Sequence, residues 1–259
     1  MRNRLSFYIP RQSLIHDLNP LTKLALVFTF IIVAFSSSWY WLPTILFFFG
    51  LVPLSFIGKV GKAFLRTTFR LLLPLFIFLF VMQSLFYPGG VTPLLSLWIF
   101  SVKLEGVQFA YLTGTRILVM VSSFLVLLLT THPSTLMSDL TRRGLPGALA
   151  YIITSTLQII PQMQGKANTI IDAQRSRGLD TEGNLFKRAG ALLPLVGPLV
   201  FGSLVDVEER AIAIEARAFN APCKKTSLIE ISDTGFETAL RWFFLLLMLA
   251  AIGSRIWLS

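Results

Sequence analysis

Long stretches without any formal charge are the feature that most restricts how this chain can fold. No Asp, Glu, Lys or Arg lies between Lys23 and Lys59. Because a helix that crosses the hydrocarbon core needs about 20 residues, this run is long enough for two such helices. Its middle, residues 36–43, is rich in Ser, Trp and Tyr and contains a proline, as is typical of a membrane interface. We therefore predict two membrane-spanning helices, at about 21–38 and 41–58.

Three more membrane-spanning helices follow from the same pattern. A second charge-free run extends from Arg70 to Val102 and is broken by a Pro-Gly-Gly sequence at 88–90. Further apolar runs come later in the chain, beyond short polar segments. The predicted helices lie at about 70–87, 106–130 and 239–258. The membrane part would thus comprise residues 1–130 with four helices and a final segment, 239–259, with the fifth.

The composition agrees with an integral membrane protein of the all-α class. Of the 259 residues, 54% are hydrophobic and 14% are charged, whereas a soluble domain carries about 25% charged residues. The predicted helices contain no Asp or Glu in their interiors, no phosphate-binding loop is present, and His16 and His132 are far apart in sequence. We therefore expect no catalytic group, no bound metal and no cofactor in this chain.

The distribution of Lys and Arg predicts the orientation of the chain. Three arginines precede the first helix and four Lys or Arg residues lie in the segment 59–70, whereas the connection between the first two helices is uncharged. The positive-inside rule then places the N-terminus and the 59–70 loop in the cytoplasm, and four spans return the segment 131–238 to the same side. The net charge of +10 lies almost wholly beside the membrane, where it favours anionic lipid. Nucleic acid is not an expected partner.

The internal segment contains two uncharged pieces, 144–165 and 189–205, that are about long enough to enter a bilayer. If both crossed it, the loop between them would carry five Lys or Arg residues to the outer face, against the orientation of the rest. Pro161, Pro194 and Pro198 would also interrupt the two pieces. We therefore predict two or three amphipathic helices along the cytoplasmic face and about five membrane-spanning helices in total, with six or seven as the alternative.

Two arginine tripeptides close apolar patterns of three-to-four spacing within this segment. They are Ser176-Arg177-Gly178 and Ala216-Arg217-Ala218. Each presents one cation between small neighbours at the end of a predicted helix, and the glycine of the first is a typical helix stop. A single arginine at the end of a helix is explained by its favourable interaction with the dipole of that helix. Two at similar positions favour a second interpretation, in which both dock into another protein.

These tripeptides, together with the segments 13–24 and 208–219, resemble the transmembrane T component of the energy-coupling factor transporters. That family imports vitamins and transition-metal ions into prokaryotes, and the resemblance covers most of the chain. It implies that Arg177 and Arg217 engage acidic grooves on two ATP-hydrolysing subunits of the ABC type. The docking residues so implied are Arg177, Arg217, Ser176, Gly178, Ala216 and Ala218.

The same resemblance implies the remaining partners and the location. A separate substrate-binding membrane subunit would receive the ATP-driven movement and release a vitamin or a transition-metal ion. The chain itself would be a non-catalytic coupling subunit in the prokaryotic cell (inner) membrane. Its segment 131–238 would carry the coupling helices.

The chain departs from the family pattern at two positions. The entry motif of the family reads Asp-Pro-Arg, whereas this chain has Asn19-Pro20-Leu21, which removes one charge of each sign. Its simplest interpretation is a helix start with Pro20 near the first position. The second tripeptide ends in Ala218 rather than glycine.

A rival prediction is a self-sufficient secondary transporter, a small membrane enzyme or a membrane scaffold without ATPase partners. Ion-coupled carriers place an ionisable group within the bilayer. Arg116 is the one charge well inside a predicted span. It either extends its guanidinium toward the membrane surface or pairs with a partner. The identity of the partners would exclude a scaffold unrelated to transport.

Overall fold

The computed structural model describes residues 8–37, 39–88, 92–97, 100–178, 185–219, 221 and 233–258. The chain divides into two compact units. The larger one, the apolar-helix unit, is drawn from Ser6–Gly144 and Glu230–Ser259. The smaller one, the long-helix unit, lies mainly within Leu145–Ile229. The division of the chain into 1–130, 131–238 and 239–259 stays a prediction.

The apolar-helix unit consists of short and long helices with one small hairpin. Its helices are α1 (Leu14–Asp17), α2 (Pro20–Ser36), α3 (Leu42–Ile45), a π-helical turn (Leu46–Leu51), α4 (Val52–Ile57), α5 (Gly61–Phe86), α6 (Leu104–Thr130), α7 (Pro133–Arg142) and α10 (Gly235–Leu258). Between α5 and α6 an antiparallel hairpin pairs β1 (Pro93–Leu97) with β2 (Phe100–Lys103). The long-helix unit contains α8 (Gly147–Ser176) and α9 (Leu185–Ala216).

Apolar helices dominate the first unit, which confirms the prediction of an all-α membrane protein. Among the described residues, three helices are long and apolar enough to cross a membrane by length and composition: Gly61–Phe86, Leu104–Thr130 and Gly235–Ile256. The shorter stretches Pro20–Ser36 and Leu42–Ile57 are also apolar. Each of these five stretches overlaps one of the predicted spans in sequence. The hairpin is a small addition that the pattern of charge-free runs did not predict.

Helix α5 begins at Gly61, well before the predicted start at residue 70. Lys62, Arg66 and Arg70, which looked like loop residues, lie on the first turns of this helix. Its buried face explains the extension, because Phe64, Thr68 and Leu72 recur every four residues and pack inward from the basic turns onward. The charged side chains occupy the exposed face of the same turns.

The core of the apolar-helix unit lies where α2, the π-helical turn, α5 and α6 meet. The buried residues that form it are Ala34, Phe47, Leu51, Val60, Phe64, Val119, Leu125, Val126 and Leu129. The rings of Phe47 and Phe64 stack with centroids 6.2 Å apart. On α6, a Cβ at Gly106 would lie 2.5 Å from the backbone carbonyl oxygen of Gln83 on α5, so the two helices approach at a distance that favours glycine there.

The two long helices of the second unit run without a break through their prolines. Helix α8 continues through Pro161, and α9 continues through Pro194 and Pro198. The prediction that these residues interrupt the uncharged pieces is therefore wrong. A proline removes one backbone hydrogen bond, and the neighbouring turns of a long helix are sufficient to continue it.

Helices α8 and α9 cross each other in antiparallel directions. Near the crossing, Lys166 pairs with Asp206 and the guanidinium of Arg210 donates to the side-chain oxygen of Gln162. Far from the crossing, the ring of Tyr151 in the second turn of α8 lies 5.5 Å, centroid to centroid, from that of Phe219, just beyond the end of α9. The end of α9 therefore lies beside the beginning of α8.

Candidate docking site

Arg177 is the residue that ends helix α8. It has φ −92° and ψ 10°, outside the helix, and its N–H donates to the carbonyl of Gln174 at 3.0 Å. Gly178 follows with φ +90° and donates to the carbonyl of Arg175, also at 3.0 Å. This is the bond that a left-handed residue makes just after a helix end. The predicted helix stop at Gly178 is thus where the backbone turns.

Arg217 occupies the same position at the end of α9. Ala218 follows it in the left-handed region, with φ +53°, and donates to the carbonyl of Glu215 at 2.9 Å. Phe219 then donates to the carbonyl of Ile214 at 3.2 Å. The two bonds together form a complete Schellman motif. An L residue at the left-handed position carries a steric cost of about 1 kcal/mol that glycine avoids.

Both arginine side chains are exposed to solvent. Among the residues that the structure describes, the ion pairs join Arg143 and Arg241 to Asp233 and Lys166 to Asp206, and none includes Arg177 or Arg217. Their small neighbours Ser176, Gly178, Ala216 and Ala218 are exposed as well. Each helix end is therefore a narrow, cationic and uncovered tip on the long-helix unit.

The antiparallel crossing places the two tips at opposite ends of the helix pair. Arg217 lies next to Phe219 and so close to Tyr151, at the beginning of α8. From Tyr151 the chain rises about 1.5 Å per residue to Arg177, so the two arginines are separated by about 39 Å along α8. A single protein partner of ordinary interface size, about 800 Å² per side or a patch about 30 Å across, would not cover both.

The entry motif has a clear structural role at the beginning of α2. The side-chain oxygen of Asn19 accepts from the N–H of Leu21 at 2.9 Å, with Pro20 in the first turn, so Asn19 caps the helix. The N–H of Asn19 donates at 2.7 Å to the carboxylate of Glu237, at the start of α10. Glu237 also accepts from the N–H of Thr234 at 3.3 Å, as in a capping box.

Glu237 is a structural residue that the sequence analysis missed. It is only 6% exposed, and its carboxylate accepts N–H groups at the beginnings of both α2 and α10. A carboxylate is favourable beside the positive end of a helix dipole, and here one carboxylate serves two helices. The Thr-x-x-Glu spacing from Thr234 to Glu237 is typical of a capping box and could have indicated the contact of Glu237 with the N–H of Thr234. The contact with Asn19 spans 218 residues and has no local signal.

The segment before α2 and the first turn of that helix are held by hydrogen bonds to backbone carbonyls and by ring contacts with two histidines. The ammonium of buried Lys23 donates to the carbonyls of His16, at 3.0 Å, and Thr130, at 3.2 Å. His16 also bonds to Ser13 and to the carbonyl of Ile9, and burial lowers its pKa. The ring of Tyr8 lies 6.0 Å from that of His16 and 5.4 Å from that of His132. The two histidines, far apart in sequence, therefore share a neighbour.

The side chain of Arg116 pairs with backbone groups of its own chain. It donates from Nε to the carbonyl of Ala34 at 3.2 Å and from Nη2 to that of Ser37 at 2.8 Å. These carbonyls lie at the end of α2, so the guanidinium reaches the end of that helix rather than staying among apolar side chains. Within the described residues, no three His, Cys, Asp or Glu side chains lie together as a metal site.

The apolar helices and the pair of long helices define a helical integral membrane protein. Its sequence matches the family model described as cobalt transport protein, CbiQ, over residues 11–228. This match covers most of the chain. The chain belongs to that family, whose relatives below identify it as the transmembrane T component of energy-coupling factor transporters.

The relatives carry one name, energy-coupling factor transporter transmembrane protein EcfT. The protein of Clostridium kluyveri is 29% identical over 262 residues, which cover 96% of each chain. That of Thermanaerovibrio acidaminovorans is 32% identical over 83% of this chain and 82% of its own length. That of Staphylococcus aureus is 31% identical over 88% of both. The name describes a transmembrane protein of an energy-coupling factor transporter.

Proposed function

We propose that this chain transmits the movement of two ABC-type ATPase subunits to a separate substrate-binding membrane subunit. The observation that carries the proposal is the position of Arg177 and Arg217. Each is exposed at the residue that ends a long helix, and the two lie about 39 Å apart at opposite ends of an antiparallel pair. Two separated cationic tips suit two separate partners.

Arginine is suited to such a joint for physical reasons. Its planar guanidinium binds a carboxylate through two parallel hydrogen bonds and keeps its charge at any physiological pH. At the residue that ends a helix, the backbone has already turned away, and the small neighbours leave room for a groove to enclose the side chain. Truncating one partner of a buried charge pair costs about 2–5 kcal/mol, so each contact could carry force when the ATPases move.

The crossing between α8 and α9 would join the two movements. Lys166 with Asp206, and Arg210 with Gln162, connect the helices where they cross. When the two ATPase subunits approach each other on binding ATP, both helices would turn about this point. The substrate-binding subunit would respond by releasing a vitamin or a transition-metal ion. In this proposal the membrane is the prokaryotic cell membrane, and the N-terminus and residues 131–238 are cytoplasmic.

The rival function, a self-sufficient secondary transporter, has less support. An ion-coupled carrier needs an ionisable group that can exchange its ion within the membrane. In the described parts of the apolar helices, Lys23 and Arg116 both donate to backbone carbonyls. Glu105 and Glu237 lie in the first turns of their helices. Such groups are suited to capping helix ends rather than to transport.

Co-purification with the cognate ATPase subunits tests the proposal. The full chain, extracted in detergent, is expected to hold two ATPase subunits. Arg177→Glu and Arg217→Glu should each weaken the complex about tenfold or more, because charge reversal places a carboxylate against an acidic groove. The double variant should hold none. The matched control is Arg175→Glu, which makes the same charge change at the same helix end, two residues away.

Two results would contradict the proposal. One is a wild-type chain that holds no ATPase subunit while it still folds and inserts. The other is equal weakening by Arg175→Glu and Arg177→Glu, which would mean that general charge attraction, not docking at Arg177, holds the complex together. Retention of one ATPase subunit by each single variant would support one tip for each partner.

A further inference from the structure

The end of α2 holds two arginines that come from different helices. The last carbonyls of a helix have no partner within it. Arg116 of α6 donates to the carbonyls of Ala34 and Ser37, at 3.2 and 2.8 Å, and Arg255 of α10 donates to that of Phe35, at 3.2 Å. Both cations are therefore held within one turn of the same helix end.

This arrangement lacks a negative charge among the residues that the structure describes. The ion pairs found there involve Arg143, Lys166 and Arg241. The one carboxylate of α6, that of Glu105, lies 11 residues before Arg116, or about 16 Å along the helix, and it bonds to Thr92. Two like charges brought together repel, and an anion between them would remove that cost.

Arg255 lies about one hydrocarbon thickness along α10 from Glu237, which marks the end of the helices where α2 and α10 begin. Glu237 and Arg255 are 18 residues apart on α10, which corresponds to about 27 Å, and a hydrocarbon core is about 30 Å thick. Directly after α2 come Trp39, Tyr40 and Trp41, with exposed fractions of 67%, 48% and 66%. Exposed Trp and Tyr in a row are typical of the level of lipid headgroups.

We propose that Arg116 and Arg255 together bind the phosphate group of a phospholipid headgroup at the membrane surface where α2 ends. A guanidinium carries five N–H groups. Arg116 uses two of them and Arg255 one on the carbonyls named above, so both keep donors for a phosphate. The ring of Phe35, 5.8 Å from the guanidinium of Arg116, covers one face of it and leaves the edge for the ligand. Arginine binds phosphate in a bidentate manner.

This site would explain why cations are present on a surface where the positive-inside rule disfavours them. By the predicted orientation, the end of α2 faces away from the cytoplasm. Bound to carbonyls on one side and to a phospholipid on the other, the two arginines would hold α2, α6 and α10 together at that surface. The proposal requires only that these helices cross the membrane, and it is independent of the docking of ATPases.

Native mass spectrometry of the full chain in detergent tests the proposal. Phosphatidylglycerol is the probe, phosphate-free digalactosyldiacylglycerol is the matched lipid, and inorganic phosphate is the third arm. The wild-type chain should retain one phosphatidylglycerol under conditions that remove the galactolipid. Arg255→Gln, at an exposed position, should lower this retention about tenfold. Arg116→Lys keeps the positive charge but loses the planar set of N–H donors, so it should lower phosphatidylglycerol retention less than Arg255→Gln does. Arg66→Gln, on the exposed face of α5, should leave it unchanged.

Three results would overturn the proposal. Equal retention of both lipids would show that acyl chains, not phosphate, determine binding. Equal retention by the wild type and Arg255→Gln would show that Arg255 only caps α2. If inorganic phosphate alone stabilised the wild-type chain against thermal unfolding as much as phosphatidylglycerol does, the site would bind phosphate without requiring a lipid. Thermal unfolding of each variant, with and without lipid, separates a loss of binding from a loss of folding.

Discussion

At the scale of single residues, two helix ends with the same geometry differ by one methyl group. Gly178 and Ala218 both have positive φ and both follow an arginine. Nothing lies within 4 Å of a Cβ built at Gly178, so the cost of a side chain there is conformational rather than steric contact with neighbours. The family pattern of glycine after the arginine is thus explained by the backbone, and Ala218 tolerates the same turn at a cost.

We expect Ala218→Gly to stabilise the end of α9 by about 1 kcal/mol, because glycine adopts the left-handed conformation without strain. Gly178→Ala should destabilise the end of α8 by a similar amount. Hydrogen exchange of the amide of Phe219, which closes the Schellman motif, measures the first effect. The control is Ala213→Gly, inside α9, which should instead destabilise the helix by about 1 kcal/mol. If Ala218→Gly and Ala213→Gly changed the stability of α9 in the same direction, the assignment of strain to Ala218 would be refuted.

At the scale of helices, the first and the last apolar helices begin at one shared carboxylate. The N–H of Asn19 and the N–H of Thr234 both point to Glu237. Asn19 is 1% exposed, so an aspartate at this position would place a second carboxylate in a buried site already occupied by one. An aspartate at position 19 would therefore lie beside the carboxylate of Glu237 in this chain.

We expect Asn19→Asp to destabilise the chain by about 1–3 kcal/mol at neutral pH, because two neighbouring buried carboxylates repel. The double variant Asn19→Asp, Glu237→Gln should recover stability at neutral pH. Thermal unfolding in detergent at neutral pH measures both effects. A double variant less stable than Asn19→Asp alone would contradict the coupling.

Much of this level of structure was predictable from the sequence, for identifiable reasons. Charge-free runs indicated the apolar helices, since burying a charge in lipid is costly. The start of α5 was missed because Lys62, Arg66 and Arg70 lie on the exposed face of a helix, where charge does not mark a loop. The path of α8 through Pro161 was missed because a proline removes only one bond. The contacts of Glu237 and Arg116 connect distant segments, and no local pattern encodes them.

At the scale of the whole molecule, the number of membrane crossings determines which side the arginine tips face. With five crossings, the segment between α7 and α10 stays on the side of the N-terminus. With seven, the end of α8 would lie on the opposite side. Ser176 is exposed at that end, which makes it a suitable position for a label.

We expect Ser176→Cys, in a chain with Cys223→Ser, to react with a membrane-impermeant maleimide only in inside-out vesicles. Tyr40→Cys, in the exposed connection after α2, should react only in right-side-out vesicles and serves as the control. Both expectations follow from the positive-inside rule with five crossings. Reaction of Ser176→Cys in right-side-out vesicles would instead support seven crossings and would remove the cytoplasmic position required for ATPase docking.

The carboxylate shared by two helix beginnings also has a consequence for biosynthesis. Asn19 and Glu237 are 218 residues apart, and a ribosome adds about 5–20 residues per second. The first helix therefore waits roughly 10–45 s in the membrane before the group that completes its cap has been made. Until Glu237 has been made, the N–H of Asn19 lacks the carboxylate that it bonds to in the complete fold.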